Sequence, residues 1–267
     1  MNCNDNAAIF HALHRQSEPL RLPNAWDAGS ALLIESHGAR AIATTSAGVA
    51  WSHGYRDGDV LPLDRHLATV AAIVRVINVP LSVDIEAGYI DESKEMALTT
   101  ARFIQAGAIG FNIQDGIGTP DLLCRKIEQA RETAERLGIG IYINARTDLY
   151  TRAVAPAHDR VEEVLARARQ YRDAGADGLF VLGVTDRTEI REIAKGTELL
   201  LNVIAWPGLP PAGELSALGV SRISVGSWIP QTLWAQTSTL VAGFLADGRS
   251  EPLYDRAAPY PEVNAYF

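Results

Sequence analysis

Residues 80–89 read PLSVDIEAGY, and they contain the pattern on which the rest of the chain is built. The apolar run Leu81–Ile85 predicts a buried strand, and Gly88 ends it. Asp84 and Glu86 lie two residues apart, so on a strand both would project from one face at its carboxyl end. Buried acids need a positive partner or a metal, and paired oxygen ligands suit Mg²⁺. A salt-bridged or helix-capping pair is the alternative.

The pattern of a buried strand followed by a helix recurs along the chain. Glycine occupies the helix-to-strand turns at 36–39, 105–108, 173–176 and 217–220, and Gly138 has the same place, where a helix end needs positive φ. The eight strand-like runs are Leu20–Trp26, Ala41–Ser46, Leu81–Ile85, Ile109–Ile113, Ile139–Asn144, Gly178–Leu182, Leu199–Ala205 and Ser221–Val225. The helical patterns that follow them are Ala28–Ser36, Leu63–Ile77, Ser93–Gln105, Leu122–Leu137, Asp159–Asp173, Thr188–Ala194, Pro211–Leu218 and Pro230–Ala246.

Eight strand–helix units in 267 residues predict an α/β fold, one (β/α)8 TIM barrel that occupies residues 1–267 as a single domain. A doubly wound sheet of eight strands is the alternative. Such a sheet normally has a glycine-rich phosphate-binding turn after its first strand, and Asn24–Asp27 is not one. A weak amphipathic pattern at Asn6–Gln16 predicts one further helix before the first strand.

The composition argues against several classes of partner and location. A net charge of −8 and a pI near 5.3 give no indication of affinity for nucleic acid or for anionic membranes. Two cysteines do not make a disulfide framework, so a reducing cytoplasm is the expected location. The first residues lack a basic segment followed by an apolar one, and no run of about 18 apolar residues occurs. We therefore expect neither secretion nor a membrane span.

Polar residues gather at the carboxyl ends of the predicted strands, where a barrel has its active site. They are Trp26–Asp27, Thr44–Ser46, Asp84 with Glu86, Gln114–Asp115, Arg146 with Asp148, and Asn202. The guanidinium group of Arg146 could hold a substrate carboxylate, or it could pair with Asp148 or Asp115 to fasten the rim of the barrel. The turn at residues 44–48 could offer backbone N–H groups and hydroxyls to an anionic group.

Several of these motifs together resemble the isocitrate lyase/phosphoenolpyruvate mutase superfamily, over nearly the whole chain. The matching elements are Leu22–Asp27 (LPNAWD), Thr44–Gly48 (TTSAG), Val83–Tyr89 (VDIEAGY), Asn144–Asp148 (NARTD), Asn202 and the terminal Pro261–Ala265 (PEVNA). The strand-3 element resembles the family's metal-binding D-x-[DE]-x-G-Y. The chain looks most like the small bacterial members of the superfamily.

The resemblance implies a Mg²⁺ cofactor and a small 2-oxo or 2-hydroxy carboxylate substrate that reacts through an enolate. It implies that Asp84 is the direct metal ligand, and that Glu86, Gln114 and Asp57 act mainly through metal-bound waters. Arg146 would hold the substrate carboxylate, and the catalytic set would be Arg146, Asp57 and Asn202. The substrate would also contact the residues Trp26, Thr45, Ser46 and Ala47.

Three departures from the family pattern bear on which reaction occurs. Gln114 stands where relatives usually have an acid, and Leu182 stands where they often have His or Glu. Residues 115–121 contain neither the cysteine of the lyases nor the lysine of the mutases and phosphonopyruvate hydrolases. We therefore expect a Mg²⁺-dependent lyase that cleaves or decarboxylates a small 2-oxo or 2-hydroxy dicarboxylate, and not an isocitrate or methylisocitrate lyase. A P–C bond mutase or hydrolase, or a non-catalytic 2-oxo acid binding protein, is the alternative.

The last helical pattern is more apolar than the outside of one barrel requires. It contains Leu233, Trp234, Leu240, Phe244 and Leu245. The resemblance implies that this helix is exchanged between neighbouring subunits in a homodimer or homotetramer. An ordinary eighth helix packed on its own barrel is the alternative.

Overall fold

The computed structural model describes residues 3–89, 95–152 and 156–267, which form nine parallel strands in a nearly closed barrel surrounded by helices. The barrel confirms the predicted fold class. The strands are β1 (Leu20–Leu22), β2 (Asn24–Ala25), β3 (Ile42–Thr44), β4 (Leu81–Asp84), β5 (Gly110–Gln114), β6 (Tyr142–Thr147), β7 (Gly178–Val181), β8 (Leu200–Ile204) and β9 (Val220–Ser224).

Nine strands replace the predicted eight because Pro23 divides the first one. Proline has no N–H group to donate to a neighbouring strand. On its two sides the chain changes partners: β1 pairs with β9, and β2 pairs with β3. The order is β1-β9-β8-β7-β6-β5-β4-β3-β2, so its two ends are consecutive segments of the chain. The division at Pro23 therefore joins the last strand to the third and brings the sheet round into a barrel.

Each predicted helical pattern corresponds to a helix, and the described residues contain four further short α-helices that the pattern did not predict. The helices are α1 (Cys3–Leu13), α2 (Ala28–Ser36), α3 (Ser46–Ser52), α4 (Leu63–Val74), α5 (Met96–Gln105), α6 (Pro120–Arg136), α7 (Leu149–Arg152), α8 (Arg160–Asp173), α9 (Arg187–Gly196), α10 (Ala212–Leu218), α11 (Trp228–Asp247), α12 (Glu251–Tyr254) and α13 (Tyr260–Asn264), with a 3₁₀ helix at Ala157–Asp159. The predicted start of a helix at Ser93 lies outside the described residues. Gly219 ends α10 with φ of 94°, as its turn pattern requires.

Two predicted strand ends are wrong. Both corrections concern the carboxyl-terminal end of the barrel, which is called the mouth below. Strand β3 ends at Thr44, and Ser46 already begins α3, so the predicted turn at residues 44–48 is the start of a helix. Strand β6 lies at Tyr142–Thr147, about three residues later than predicted. Arg146 is therefore a strand residue and follows Tyr142 and Asn144 on the same face of β6.

The core has three parts, and the smallest consists of Val49, Ala50 and Leu61. Apolar side chains between the strands and the outer helices form the largest part, which includes Val83, Phe111 and Leu179. A smaller cluster closes the amino-terminal end of the barrel, where Phe10 of α1 packs with Tyr142 and other apolar side chains. The carboxyl-terminal end is left open for the polar residues of the mouth.

The carboxyl-terminal segment contrasts with this packing. Helix α11 has one buried residue, Pro230, and its large side chains Trp234, Phe244 and Leu245 are exposed by 57%, 47% and 77%. No helix in the described ranges combines the length and apolarity that crossing a membrane requires.

Candidate active site

Asp84 lies at the centre of the mouth, as the last residue of β4. Its N–H donates to Thr44 Oγ1 at 2.9 Å, and its Oδ1 accepts from the Glu86 N–H at 3.1 Å. Burial raises the pKa of Asp84 to about 6, against the lowering effect of the nearby Arg146 guanidinium, and the charges of Asp57 and Asp148 raise it further. A buried carboxylate among other acids has a strong tendency to bind a proton or a cation.

Glu86 does not share a strand face with Asp84, because β4 ends before it and Glu86 has φ of 51°. Its carboxylate instead accepts from the N–H of Asp59 at 2.5 Å and from the hydroxyl of Tyr89 at 3.2 Å. Burial raises the pKa of Glu86 to about 7, and Asp59, Asp57 and Asp84 add to this. The prediction that the two acids project together from a strand is wrong in its geometry. Their charges nevertheless act on each other.

The two loops beside Asp84 are locked together in a strained conformation. Asp59, Glu86 and Tyr89 have φ of 56°, 51° and 59°, the three positive values for non-glycine residues in the described chain. Glu86 accepts from the Asp59 N–H, and the Asp59 carboxylate accepts in return from Ala87 at 3.2 Å and from Tyr89 at 3.2 Å. Such backbone conformations cost on the order of 1–3 kcal/mol each and concentrate at functional sites.

Arg146 makes the pair with Asp148 that was one of its two predicted roles. Its Nε donates to Asp148 Oδ1 at 2.6 Å, and its Nη2 donates to Asp148 Oδ2 at 3.1 Å. The guanidinium carbon lies 5.7 Å from the ring centre of Phe180. Although burial lowers the pKa of Arg146, the Asp148 and Asp84 carboxylates raise it by more. Asp148 thus fixes the orientation of the Arg146 guanidinium group, and Nη1, which takes no part in this pair, is left for a ligand.

Two acids of the predicted ring are structural. Asp115 accepts from Arg167 Nη1 at 2.6 Å, from the Tyr171 hydroxyl at 2.9 Å and from the Asp148 N–H at 3.1 Å. Asp27 accepts from the Ser30 N–H at 2.7 Å and caps α2. Both oxygens of Asp115 are thus occupied by protein donors, and Asp27 Oδ1 is used in the helix cap.

The residues predicted to contact substrate follow the carboxyl ends of β2 and β3. Thr45 precedes α3 and bonds Ala25 O through its N–H at 3.0 Å, and Ser46 and Ala47 form the first turn of α3. The amides of a first helical turn have no acceptor within the helix. Trp26 packs on Gly48, where an added Cβ would be 2.9 Å from the Trp26 Cβ.

The remaining predicted residues are distributed around this centre. Asp57 is exposed and acts on the pKa of Asp84 through its charge. Gln114 donates its N–H to Glu86 O at 2.8 Å, and its side chain lines a neighbouring cleft of about 550 Å³ with Asp59. Asn202 is buried in the barrel and donates to Ser224 Oγ at 3.4 Å.

Several residues of the site were not predicted from the sequence. Asp59 joins the two loops beside Asp84 through its hydrogen bonds, an arrangement called the loop clamp. Tyr89 supports Glu86, and the Tyr89 hydroxyl lies 3.0 Å from His66 Nδ1. Asn112 and Arg222 lie inside the barrel beneath the mouth. In the sequence, the only indication of the loop clamp is the acidic stretch at residues 57–59, and such stretches are common in surface loops.

Whether these residues fit Mg²⁺ depends on how many ligands the protein must supply. Within residues 3–89, 95–152 and 156–267, no three His, Cys, Asp or Glu side chains converge as a metal site. Mg²⁺ commonly keeps several water ligands and takes one or two carboxylates. Asp84 fits this use, because it is buried, its pKa is raised, and its second oxygen accepts no hydrogen bond from the described residues. The site therefore fits a Mg²⁺ ion that Asp84 holds and water mostly surrounds.

Comparison with known proteins gives matches along most of the chain. A family model described as phosphoenolpyruvate phosphomutase matches residues 10–245, a range that contains every strand of the barrel. An uncharacterized protein of Mycobacterium tuberculosis is 36% identical over 260 residues, which cover 96% of this chain and 95% of that protein.

Named enzymes are among the relatives. The 2-methylisocitrate lyase of Salmonella typhimurium is 30% identical over 220 residues, 79% of this chain and 74% of that enzyme. An oxaloacetate decarboxylase of Ectopseudomonas mendocina is 30% identical over 179 residues, 65% of this chain and 61% of that enzyme. A Burkholderia cenocepacia protein, whose crystal structure is described as that of a candidate lyase or mutase, superimposes with a TM-score of 0.90 at 32% identity over 99% of this chain and 96% of that one.

Proposed function

The chain belongs to the phosphoenolpyruvate phosphomutase family, within the isocitrate lyase/phosphoenolpyruvate mutase superfamily, and on that premise we propose that it is a Mg²⁺-dependent carbon–carbon lyase. The proposed substrate is a small 2-oxo or 2-hydroxy dicarboxylate, which is cleaved or decarboxylated through an enolate. The superfamily relatives include lyases and phosphonomutases, so this proposal selects one of two chemistries.

The observation that supports the proposal most is the pairing of an unneutralised acid with a fixed cation. Asp84 is buried and carries a raised pKa, while Arg146 is held by Asp148 with Nη1 free of that pair. A 2-oxo acid presents a carboxylate to an arginine and two oxygens to a metal. The site therefore supplies complementary charge at each end of such a ligand.

The residues divide the work of an oxaloacetate-type decarboxylation as follows. Arg146 binds and orients the substrate carboxylate, and the first-turn amides of α3 face a further oxygen. The C3–C4 bond breaks and C4 leaves as CO2. The electron pair of the broken bond forms the enolate, and water then donates a proton to C3. Mg²⁺, when bound, stabilises the negative charge that develops on the enolate oxygen.

Carbon–carbon chemistry is favoured over P–C chemistry by the loop after β5. Residues 115–121 contain no lysine or cysteine, and Asp115 is committed to Arg167. A decarboxylation that uses solvent as the proton source needs neither side chain. The oxaloacetate decarboxylase among the relatives supports the same choice.

A panel of 2-oxo acids tests the proposal. With Mg²⁺ present, we expect turnover of a small dicarboxylate such as oxaloacetate, and thermal stabilisation by pyruvate, oxaloacetate or 2-oxoglutarate but not by isocitrate. A third carboxylate would face Asp57, Glu86 and Asp148 without a cation. Binding without turnover of any member would favour the non-catalytic alternative, and stabilisation by isocitrate would contradict the proposed pocket.

Arg146→Lys, with Arg152→Lys as its control, tests the carboxylate contact. Lysine keeps the charge but not the bidentate geometry, so we expect a loss of about tenfold or more in 2-oxo acid affinity. Arg152 lies 3.6 Å from the same Asp148 carboxylate and is half exposed, so its replacement should leave binding unchanged. Equal effects of the two substitutions would contradict a specific role for Arg146.

We also propose that the chain forms a homodimer or homotetramer by exchanging α11. The helix after β9 would normally cover the barrel between α10 and α2, and an apolar groove of about 750 Å³ lies there, lined by Ile34, Leu215, Ile223 and Val225. The exposed apolar side chains of α11 from a second copy suit this groove. Sedimentation at micromolar concentration should give a multiple of 28.9 kDa, and a monomer would contradict the exchange.

A further inference from the structure

Arg222 is a buried cation beneath the mouth that the proposed chemistry leaves unexplained. It lies on β9 with 1% of its surface exposed, the largest fully buried side chain of the described chain. Its Nη2 donates to Asn112 Oδ1 at 3.1 Å, while Nε and Nη1 have no hydrogen-bond partner. Burial lowers its pKa to about 10, so the group is still charged at neutral pH.

Three other buried or half-buried arginines of the described chain form ion pairs. Arg131 pairs with Asp177, Arg146 with Asp148, and Arg167 with Asp115 and Glu163. Arg222 forms no ion pair with any described residue. An unpaired buried charge is among the most expensive features of a folded protein. A fold that retains one in the middle of its barrel gains something other than stability from it.

Polar side-chain atoms on three other strands are also buried without a hydrogen-bond partner. They are Ser82 Oγ on β4, Asn144 Oδ1 on β6 and Asn202 Oδ1 on β8. Asn202 is opposite Arg222 in the register of β8 and β9. Buried polar atoms that no protein group satisfies are generally bridged by ordered water. The middle of the barrel is therefore a polar layer, in contrast to the apolar cluster that closes the amino-terminal end.

This layer is connected directly to the mouth. Asn112 Oδ1 accepts from both Arg222 and Asn144, and Asn112 is paired in register with Asp84 on one side and Asn144 on the other. Asn144 precedes Arg146 by two residues on β6 and shares its face. Against the lowering effect of burial, the Tyr142 hydroxyl and, to a smaller extent, the Asp84 carboxylate raise the pKa of Arg222.

We propose that Arg222 is a positioning residue that determines ligand charge: from beneath the mouth, through Asn112, its positive charge favours an anionic ligand over the acids of the rim. This inference rests on the proposed function and adds a second cation to Arg146. The acids near Asp84 repel an incoming dicarboxylate. A second cation that cannot pair with those acids offsets the repulsion without occupying the space of the ligand.

The charge of Arg222 should affect the binding of Mg²⁺ and of the 2-oxo acid in opposite directions. A purely structural role of Arg222 would not produce opposite effects. For Arg222→Met, we expect Mg²⁺ to bind about threefold to tenfold more tightly in calorimetry, because a positive charge near Asp84 is lost. Pyruvate, titrated at saturating Mg²⁺, should bind about threefold to tenfold more weakly. The thermal midpoint should be unchanged or higher, since an unpaired buried charge has been removed.

Two further variants keep the test decisive if methionine does not fold. Asn112→Asp gives Arg222 a carboxylate partner, so it should reproduce the same two opposite shifts. Arg222→Lys keeps the charge and should leave both affinities within about twofold of the wild type. Arg131→Met is the matched control: it removes an arginine that pairs with Asp177 before the amino-terminal ends of β6 and β7, and it should lower the thermal midpoint without opposite shifts in ligand affinity.

The outcomes distinguish this inference from the proposed function. Wild type that binds neither Mg²⁺ nor pyruvate would overturn the proposed function and the role of Arg222 together. Wild type that binds both, with variants that weaken both or change neither, would overturn the role of Arg222 alone. Opposite shifts in Arg222→Met or in Asn112→Asp, absent from Arg131→Met, would establish it.

Discussion

Two groups of carboxylates line the mouth, and they differ in whether the protein neutralises them. On the β5 and β6 side, Asp115 is bound by Arg167 and Tyr171, and Asp148 is bound by Arg146. On the β4 side, Asp84 and Glu86 receive hydrogen bonds but no ion pair from the described residues, and burial raises the pKa of both.

The backbone differs between the two sides as well. The β4 side contains the three non-glycine residues with positive φ in the described chain, and the β5 and β6 side contains none of them. Paired acids fasten the rim, whereas unpaired acids on a strained backbone are held ready for a cation. The hydrogen-bond and ion-pair partners of each acid in the ring must therefore be known before that acid is assigned a role.

Removal of a paired acid should have the largest effect on stability. Asp115→Ala leaves the Arg167 guanidinium buried without its main partner, and we expect a loss of about 3–5 kcal/mol in the free energy of unfolding. Chemical denaturation measures this. Asp173→Ala removes an acid that pairs with Arg172 at the exposed surface, and it should cost less than about 1 kcal/mol. Equal losses would show that pairing does not separate the two groups.

Removal of an unpaired acid should have the opposite pattern. Asp84→Asn keeps the shape of the side chain, so the fold should remain and its stability should be equal or higher, because a buried charge is gone. Calorimetry should detect no Mg²⁺ binding, and Asp84→Ala should behave in the same way. Mg²⁺ affinity that survives in both variants would contradict the assignment of Asp84 as the direct ligand.

The pH dependence of the stability of the metal-free protein also distinguishes the two groups of acids. The pKa values of Asp84 and Glu86, about 6 and about 7, lie above those of exposed acids, so between about pH 4 and pH 7 the native state holds more protons than the unfolded state. The contribution of these two acids to the free energy of unfolding should therefore fall as pH rises through this window, whereas His14 and His66, whose pKa burial lowers to about 3 and about 4, contribute in the opposite direction. Each unit of pKa shift corresponds to about 1.4 kcal/mol.

Thermal unfolding of metal-free protein at a series of pH values measures this dependence. Asp84→Asn removes the contribution of Asp84, so its stability relative to the wild type should rise between about pH 4 and pH 6. Saturating Mg²⁺ should restore the stability of the wild type at pH 7, where both acids are free to ionise. A stability of Asp84→Asn that runs parallel to that of the wild type between pH 4 and pH 7 would contradict the description of Asp84 as unneutralised.

Much of the barrel follows from the sequence because its signals are local. A glycine such as Gly219 marks a helix end, and an apolar run such as Leu81–Ile85 marks a buried strand, whatever the rest of the chain does. The division of the first strand at Pro23 does not follow in this way. It depends on which strands lie on either side, and only the closed barrel determines that.

The candidate site was predictable in its residues but not in their partners. The motif at residues 83–89 identified Asp84 and Glu86, yet the sequence contained no indication that Glu86 would leave the strand with φ of 51°. Arg222 was missed because an alternating segment, Val220–Ser224, is normally taken to bury its isoleucine and expose its arginine. The structure buries Arg222 and leaves Ile223 half-buried on the outer face. Only the register of the barrel decides which face is inside.

The smallest predicted effect concerns Gln114, which separates the two groups of acids. It stands where relatives of this superfamily usually have an acid, it donates its N–H to Glu86 O at 2.8 Å, and its side chain shares a cleft with Asp59. Gln114→Glu would add a negative charge to the unneutralised side with almost no change in volume. We expect Mg²⁺ to bind about threefold to tenfold more tightly, by direct attraction or through a bound water.

Gln114→Ala is the control for this change, because it removes the amide without adding charge and should alter Mg²⁺ affinity by less than about twofold. Calorimetric titration with Mg²⁺ compares the three proteins at one pH above 7, where the new carboxylate is ionised. Weaker Mg²⁺ binding in Gln114→Glu would place residue 114 with the paired acids of the rim, away from the ion. Tighter binding would place it with Asp84, and the metal side of the mouth would then extend from β4 to the end of β5.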